Sequence, residues 1–212
     1  MTKTLLSDQM KAGVTDIMPQ FFTNEFVKGI AAGSLPKAAL ISYTQQDNLY
    51  LENFLHLYQA VLGDLDPELL AVTEHDINSE NGAHQVLLRV AGTDTKAIMT
   101  PELEQKATTK HYLNHMQASL EQSPALGLAS MQACPYVYNY VANELVKQGK
   151  NNAANPFKDW IDFYASSEEN FGETMFKLLN QKVDSKDYPA AIEAFRISVI
   201  DELKFFAQAM EA

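Results

Sequence analysis

From Leu5 to the end of the chain, apolar side chains recur every three or four positions. No stretch alternates in the manner of a strand or reaches a strand's density of valine and isoleucine. A period near 3.6 can bury one face only as a helix, so the chain is confined to an all-α fold. The pattern predicts a helical bundle of about eight helices. The 212 residues are enough for one well-buried core and rather few for two, so a single domain over 1–212 is expected.

Local signals place the helices. Leu6, Met10, Val14, Ile17, Met18 and Phe21 stripe an opening helix from Leu5 to Phe22 that Pro19 kinks or ends. Asn24 offers a cap for a short helix, Glu25 to Ala32, which stops at Gly33. A long helix runs from Lys37 to Leu62, and Pro67 opens another that reaches about Val90 with an interruption near Asn81-Gly82. Thr100-Pro101-Glu102 combines a cap, a first-turn proline and an acid, which predicts a helix from there to about Gln122. Ser123-Pro124 repeats the signal for a helix that Gly149 ends. Asn155-Pro156 opens the next, Ser166 with Glu169 reads as a capping box, and the last helix starts near Asp187-Tyr188-Pro189.

Lysine and arginine number 16 against 27 aspartates and glutamates, a formal net charge of −11, and no basic run appears. Nucleic acid and anionic membrane surfaces are therefore poor partners. A single cysteine cannot form an internal disulfide, and Lys3, Asp8, Lys11 and Asp16 break any signal-peptide core, so a cytoplasmic location is expected. No apolar run approaches the roughly 20 residues that cross a bilayer.

The chemistry gathers around that cysteine. Met131, Cys134, Tyr138, Val141 and Leu145 share one helix face, so the thiol points inward one turn from a phenol. It is either a small core hydrophobe or a nucleophile held by tyrosine hydroxyls, and the second reading needs a carboxyl from elsewhere in the chain. Two are offered. Asp47 lies on a face with Tyr43, Tyr50 and Phe54, unless Gln46 or Asn48 takes the inward slot. Glu202 stands among Phe195, Val199, Phe205 and Phe206, where burial would raise its pKa, unless it sits at the surface paired with Lys204 or Arg196. Tyr112 shares a face with His115, Met116 and Ser119, and Tyr164 one with Trp160 and Ile161. Glu80 and His84, and His111 and His115, have metal-ligand spacing with His75 nearby, but only parts of a carboxylate-rich di-iron pattern are present, so no metal site is expected.

Seven stretches in order, from about residue 20 onward, resemble the thiaminase II (TenA) family of the haem-oxygenase-like all-α fold. They are Phe26 to Pro36 with its Gly-Ser-Leu-Pro, Tyr43-Thr-Gln-Gln-Asp-Asn-Leu-Tyr-Leu51, Glu80-Asn-Gly-Ala-His84, Tyr112-Leu-Asn-His-Met116, Cys134 to Tyr138, Trp160-Ile-Asp-Phe-Tyr164 and Asp201-Glu-Leu-Lys-Phe-Phe206. The resemblance implies hydrolysis of 4-amino-5-aminomethyl-2-methylpyrimidine to the hydroxymethylpyrimidine, with slower thiamin cleavage, without cofactor or metal, by a homotetramer. It makes Cys134 the nucleophile and Glu202 the acid and base. Asp47 would bind the opposite edge of the ring, Tyr112 and Tyr164 would position substrate and carboxylates, and Tyr50 and Tyr138 would line the pocket. Two features depart from the family. Proline follows the cysteine, as Pro135, where the family commonly has it before, and Pro135 should kink the helix one turn ahead of the thiol. Phe205-Phe206 stands where the family has Phe-Trp. The alternatives are a metal-dependent oxidase of the same fold using Glu80, His84, His111 and His115, and a pyrimidine-binding protein without chemistry.

Overall fold

The computed structural model of the chain describes residues 4–70, 81–166 and 171–211, and all regular structure in them is helical. The α-helices are α1 Leu6–Ala12, α2 Glu25–Ala32, α3 Lys37–Leu65, α4 Asn81–Ala91, α5 Thr95–Ile98, α6 Ala107–Gln122, α7 Pro124–Met131, α8 Ala133–Lys147, α9 Lys158–Ala165, α10 Phe171–Lys182 and α11 Tyr188–Gln208. Short 3₁₀ turns cover Met18–Thr23, Ser185–Asp187 and Ala209–Glu211. His75, Glu80 and Glu169, and with them two expected residue pairings, lie outside the described residues.

The α-helices exceed eight because the helix expected after Ser123 is divided in two and the short α5 follows α4; the opening helix is broken too, but its second part is 3₁₀. The opening helix stops at Gly13, whose N–H closes on the carbonyls of Gln9 and Met10. Pro19 has no N–H to continue it and instead sits in the first turn of the 3₁₀ helix Met18–Thr23. The apolar stripe survives the break, since Leu6, Met10, Val14, Ile17, Met18 and Phe21 are all buried. Asn24 and Gly33 bound α2 as expected: the Asn24 side chain accepts from the Phe26 N–H, and Gly33 is left-handed at φ 70°. A Cβ there would lie 2.8 Å from Pro156 Cδ, so the turn and its packing both require glycine.

Thr100-Pro101-Glu102 forms a turn, and the helix begins seven residues later at Ala107. The cause is Gln46 on α3. Its Nε2 donates to the Glu104 carbonyl at 3.0 Å, and its Oε1 accepts from the Lys106 N–H at 2.8 Å and the Thr109 hydroxyl at 2.9 Å. A tertiary side chain thus holds this backbone in an extended path that a helix would forbid. Asn155 likewise caps two residues late: it accepts from the Phe157 N–H while its amide donates to the carbonyls of Ile30 and Lys150, and α9 starts at Lys158.

The long α3, about 43 Å at the helical rise, packs against α4, α6 and α7, and α11 packs against α6, α7 and α8. Gly127 lets α7 settle into this group, because a Cβ there would stand 3.0 Å from Leu120 Cα on α6 and 3.2 Å from Val61 on α3. The N-terminal segment closes on the outside of α11 and α10, where Arg196 forks onto both carboxylate oxygens of Asp16 at 2.7 Å and Asn180 accepts from the Ser7 N–H. One cluster of buried apolar residues extends from Leu6 to Ala209. Among the described residues no helix is long and apolar enough to cross a membrane.

Candidate active site

Glu202, in the middle of α11, is 1% exposed, with Tyr112 of α6 donating its hydroxyl to Oε1 at 2.9 Å. The surface alternative for Glu202 does not hold, since Arg196 is engaged with Asp16, and Lys204 reaches Asp201. Burial pushes the Glu202 carboxyl up to about 8; the Tyr112 hydrogen bond opposes this, the nearby Asp47 and Asp201 charges add to it, and a hydrogen bond with the Cys134 thiol opposes it. Glu202 therefore holds a proton at neutrality while touching a thiol and a phenol.

Asp47 faces inward from α3 at 3% exposure. Gln46 is buried as well, so the two do not compete for one slot: Gln46 turns to the backbone before α6, and Asp47 turns to α4. There His84 Nε2 lies 2.7 Å from Asp47 Oδ2. Tyr43, Tyr50 and Phe54, at steps of three and four from Asp47, are buried with it.

Cys134 is placed by the second broken helix. Ser123 caps α7 by accepting from the Leu126 N–H, but α7 ends at Met131 and α8 starts at Ala133. The break falls at the carbonyl that Pro135, having no N–H, cannot bond, so the kink expected one turn ahead of the thiol is a division into two helices. Its effect is to set Cys134 in the first turn of the 15-residue α8, where the positive end of the helix dipole favours developing negative charge. Buried Gln132 locks the joint by donating to the Tyr58 hydroxyl at 2.9 Å.

Aromatic rings enclose the space between these groups. Tyr50 stacks on Tyr112 at 5.3 Å and meets Phe205 at 5.6 Å, while Tyr138 packs on Phe206 at 5.1 Å and Tyr164 at 4.7 Å. The Tyr138 hydroxyl shares a 2.5 Å hydrogen bond with that of Tyr43. The Tyr50 hydroxyl is buried beside the Cys134 thiol and Glu202, with the Tyr112 hydroxyl as its hydrogen-bonding neighbour. Burial pushes the hydroxyls of Tyr43, Tyr50, Tyr112 and Tyr138 well above the usual phenol range, so all four are neutral at pH 7. The seven residues singled out from sequence, Asp47, Tyr50, Tyr112, Cys134, Tyr138, Tyr164 and Glu202, thus meet in one place from five helices.

The sequence profile of the TENA/THI-4/PQQC family matches residues 12–212. The chain belongs to this family. A relative from Staphylococcus aureus named aminopyrimidine aminohydrolase is 25% identical over 214 residues, covering 96% of this chain and 93% of its own length. Among solved structures, a TenA homologue from P. horikoshii superposes with a TM-score of 0.84 at 20% identity, covering 98% of this chain and 99% of that one. A Shewanella denitrificans domain described as having a haem-oxygenase-like fold gives 0.70 at 14% identity over 97% of this chain and 92% of its own. This TENA/THI-4/PQQC chain therefore has the haem-oxygenase-like architecture expected from its sequence.

Two members of the constellation play parts that the sequence does not show. Its spacing makes Tyr43 only a neighbour of Asp47, and the bond to Tyr138 depends on two helices whose approach no local signal gives. His84 carried metal-ligand spacing with Glu80, yet its Nε2 is engaged with Asp47. His111 Nδ1 lies 3.2 Å from Asp201 and His115 donates to the Ala194 carbonyl, so His84, His111 and His115 serve three separate partners. Among the described residues no three histidine, cysteine or acidic side chains gather as metal ligands.

Proposed function

We propose that the chain is an aminopyrimidine aminohydrolase of the thiaminase II type. It would convert 4-amino-5-aminomethyl-2-methylpyrimidine and water to the hydroxymethylpyrimidine and ammonia, with thiamin cleavage as a slower reaction of the same site. The observation that carries this reading is the contact of the Cys134 thiol with Glu202, a carboxyl that keeps its proton near neutrality, inside an aromatic enclosure that Asp47 also faces. The name of the Staphylococcus aureus relative supports the substrate class.

The residues divide the work as follows. A flat aminopyrimidine fits between tyrosine and phenylalanine rings, and its donor and acceptor edges match two carboxyls. Cys134 sulfur adds to an electron-poor ring carbon as its proton passes to a ring nitrogen, and aromaticity is lost. Glu202 gives a proton to the exocyclic amine as the carbon–nitrogen bond breaks, releasing ammonia. Water then adds at the exocyclic methylene with Glu202 as base, the carbon–sulfur bond breaks, and the ring regains aromaticity as thiol and carboxyl return to their starting states. Tyr112 orients Glu202, Tyr50 backs Tyr112 and faces the substrate, and Tyr138 and Tyr164 wall the ring. A homotetrameric assembly belongs to this reading, and analytical ultracentrifugation checks it.

Product formation from the aminomethylpyrimidine and from thiamin, by wild type and Cys134→Ser in parallel, tests the assignment. The wild type should release hydroxymethylpyrimidine, and the folded serine variant should be slower by orders of magnitude. Equal rates in the two proteins would remove Cys134 from the chemistry, and tight binding without turnover by the wild type would favour a binding protein.

A further inference from the structure

His84 reaches the site from α4, which supplies none of the seven residues above. Its ring is buried, and Nε2 lies 2.7 Å from Asp47 Oδ2, while the other ring nitrogen, Nδ1, is buried without a hydrogen-bond partner among the described residues. Placing the protons decides what this pair can do. A proton on Nδ1 would be a buried N–H with no acceptor, whereas a proton on Nε2 sets the ring's one donor against Asp47. A protonated Asp47 donating to Nε2 would force the ring proton onto the orphaned Nδ1, so the arrangement with every donor satisfied makes Asp47 the acceptor. His84 bonds the Asp47 carboxylate at Oδ2, and the second oxygen, Oδ1, stands outside this pair.

We propose that His84 is a positioning residue for substrate binding. It fixes the orientation of Asp47 and holds it as an acceptor, so that Oδ1 takes an N–H from the edge of an aminopyrimidine. This rests on the reading of the site as an aminopyrimidine pocket and adds a residue that reading does not use. The two carboxyls then play different parts, with Asp47 accepting only and Glu202 able to give a proton. Because His84 acts through Asp47 and not on the reacting atoms, its loss should fall on binding.

The test measures kcat and KM on the aminomethylpyrimidine, and the Kd of the hydroxymethylpyrimidine product as a non-reacting probe by calorimetry. The proteins are wild type, His84→Leu, His84→Gln, His84→Asn, Asp47→Asn and the Asp47→Asn/His84→Leu double variant. His84→Leu should weaken probe binding and raise KM about 10- to 100-fold with kcat changed by less than about threefold. His84→Gln, whose amide reaches the Nε2 position, should stay within about fivefold of wild type, and His84→Asn, whose amide reaches only the Nδ1 position, should not. In the Asp47→Asn background His84→Leu should add less than about twofold. Wild-type affinity in His84→Leu, or an undiminished effect of that change beside Asp47→Asn, overturns the proposal. If His84→Leu does not fold, the contrast between glutamine and asparagine decides: equal affinities of these two overturn it. A wild type that binds no probe removes the pyrimidine reading itself, and this inference with it.

Discussion

At the scale of single residues, the carboxyl of Glu202 ties stability to chemistry. Its folded pKa of about 8 stands above its ordinary 4.5, so between these values the folded protein holds a proton that the unfolded chain has released. The contribution of this group is fully present below the lower value and is lost as pH rises towards 8, by an amount on the order of 5 kcal/mol at most. Glu202→Gln removes the titration. Thermal unfolding at pH 5 and pH 8.5 should therefore show the variant gaining on wild type as pH rises, and a constant difference would contradict the buried protonated state. The same substitution should lower kcat by about 10²- to 10⁴-fold, since no proton can be given to the departing amine. For wild type, kcat/KM should fall on the alkaline side with an apparent pKa near 8, measured with the aminomethylpyrimidine.

At the scale of elements, two of the joints at which sequence and structure part, before α6 and before α9, are held by one side chain that satisfies several backbone groups, Gln46 and Asn155. Gln46 bonds the Glu104 carbonyl, the Lys106 N–H and the Thr109 hydroxyl, and so delays the start of α6 to Ala107. Gln46→Leu strands three polar groups and should cost about 2–4 kcal/mol, read as a lower midpoint in urea. It should also lower activity beyond the loss of folded protein, because α6 carries Tyr112 to Glu202. The joint between α7 and α8 behaves differently, as the missing N–H of Pro135 already accounts for it. Pro135→Ala restores a donor one turn from the Met131 carbonyl, so the expected outcome is stability within about 1.5 kcal/mol of wild type with kcat/KM down about tenfold, as the thiol shifts from Glu202.

At the scale of the whole molecule, α3 and α11 each contribute both to the site and to the core. Tyr43 stacks with Phe26 and Phe206, and Phe206 in turn meets Phe21, joining the N-terminal segments to the wall of the pocket. With one apolar cluster linking every layer, denaturation should be cooperative. Fluorescence of the single, buried Trp160 and far-UV circular dichroism should follow the same urea transition, and separated transitions would divide the chain into independent units.

The sequence by itself determined the helical class, because a 3.6-residue apolar period has no other way to bury a face. The inward side of α8 with Cys134 was legible for the same reason, whereas for Asp47 and Glu202, also on apolar stripes, periodicity left a surface placement open that the structure closes. Caps whose partners are close in sequence, such as Asn24 and Ser123, were legible too. What only the tertiary structure decided depends on groups distant along the chain. Thr100-Pro101 does not start its helix because Gln46, more than fifty residues away, bonds the backbone that would have formed it. His84 does not join Glu80-type ligand spacing to the other histidines, because α4 packs on α3 and brings its imidazole to Asp47. The pairing of Tyr43 with Tyr138 and of Tyr112 with Glu202 likewise arises only where helices meet, since helix periodicity fixes which way a side chain points and says nothing of what it will meet there.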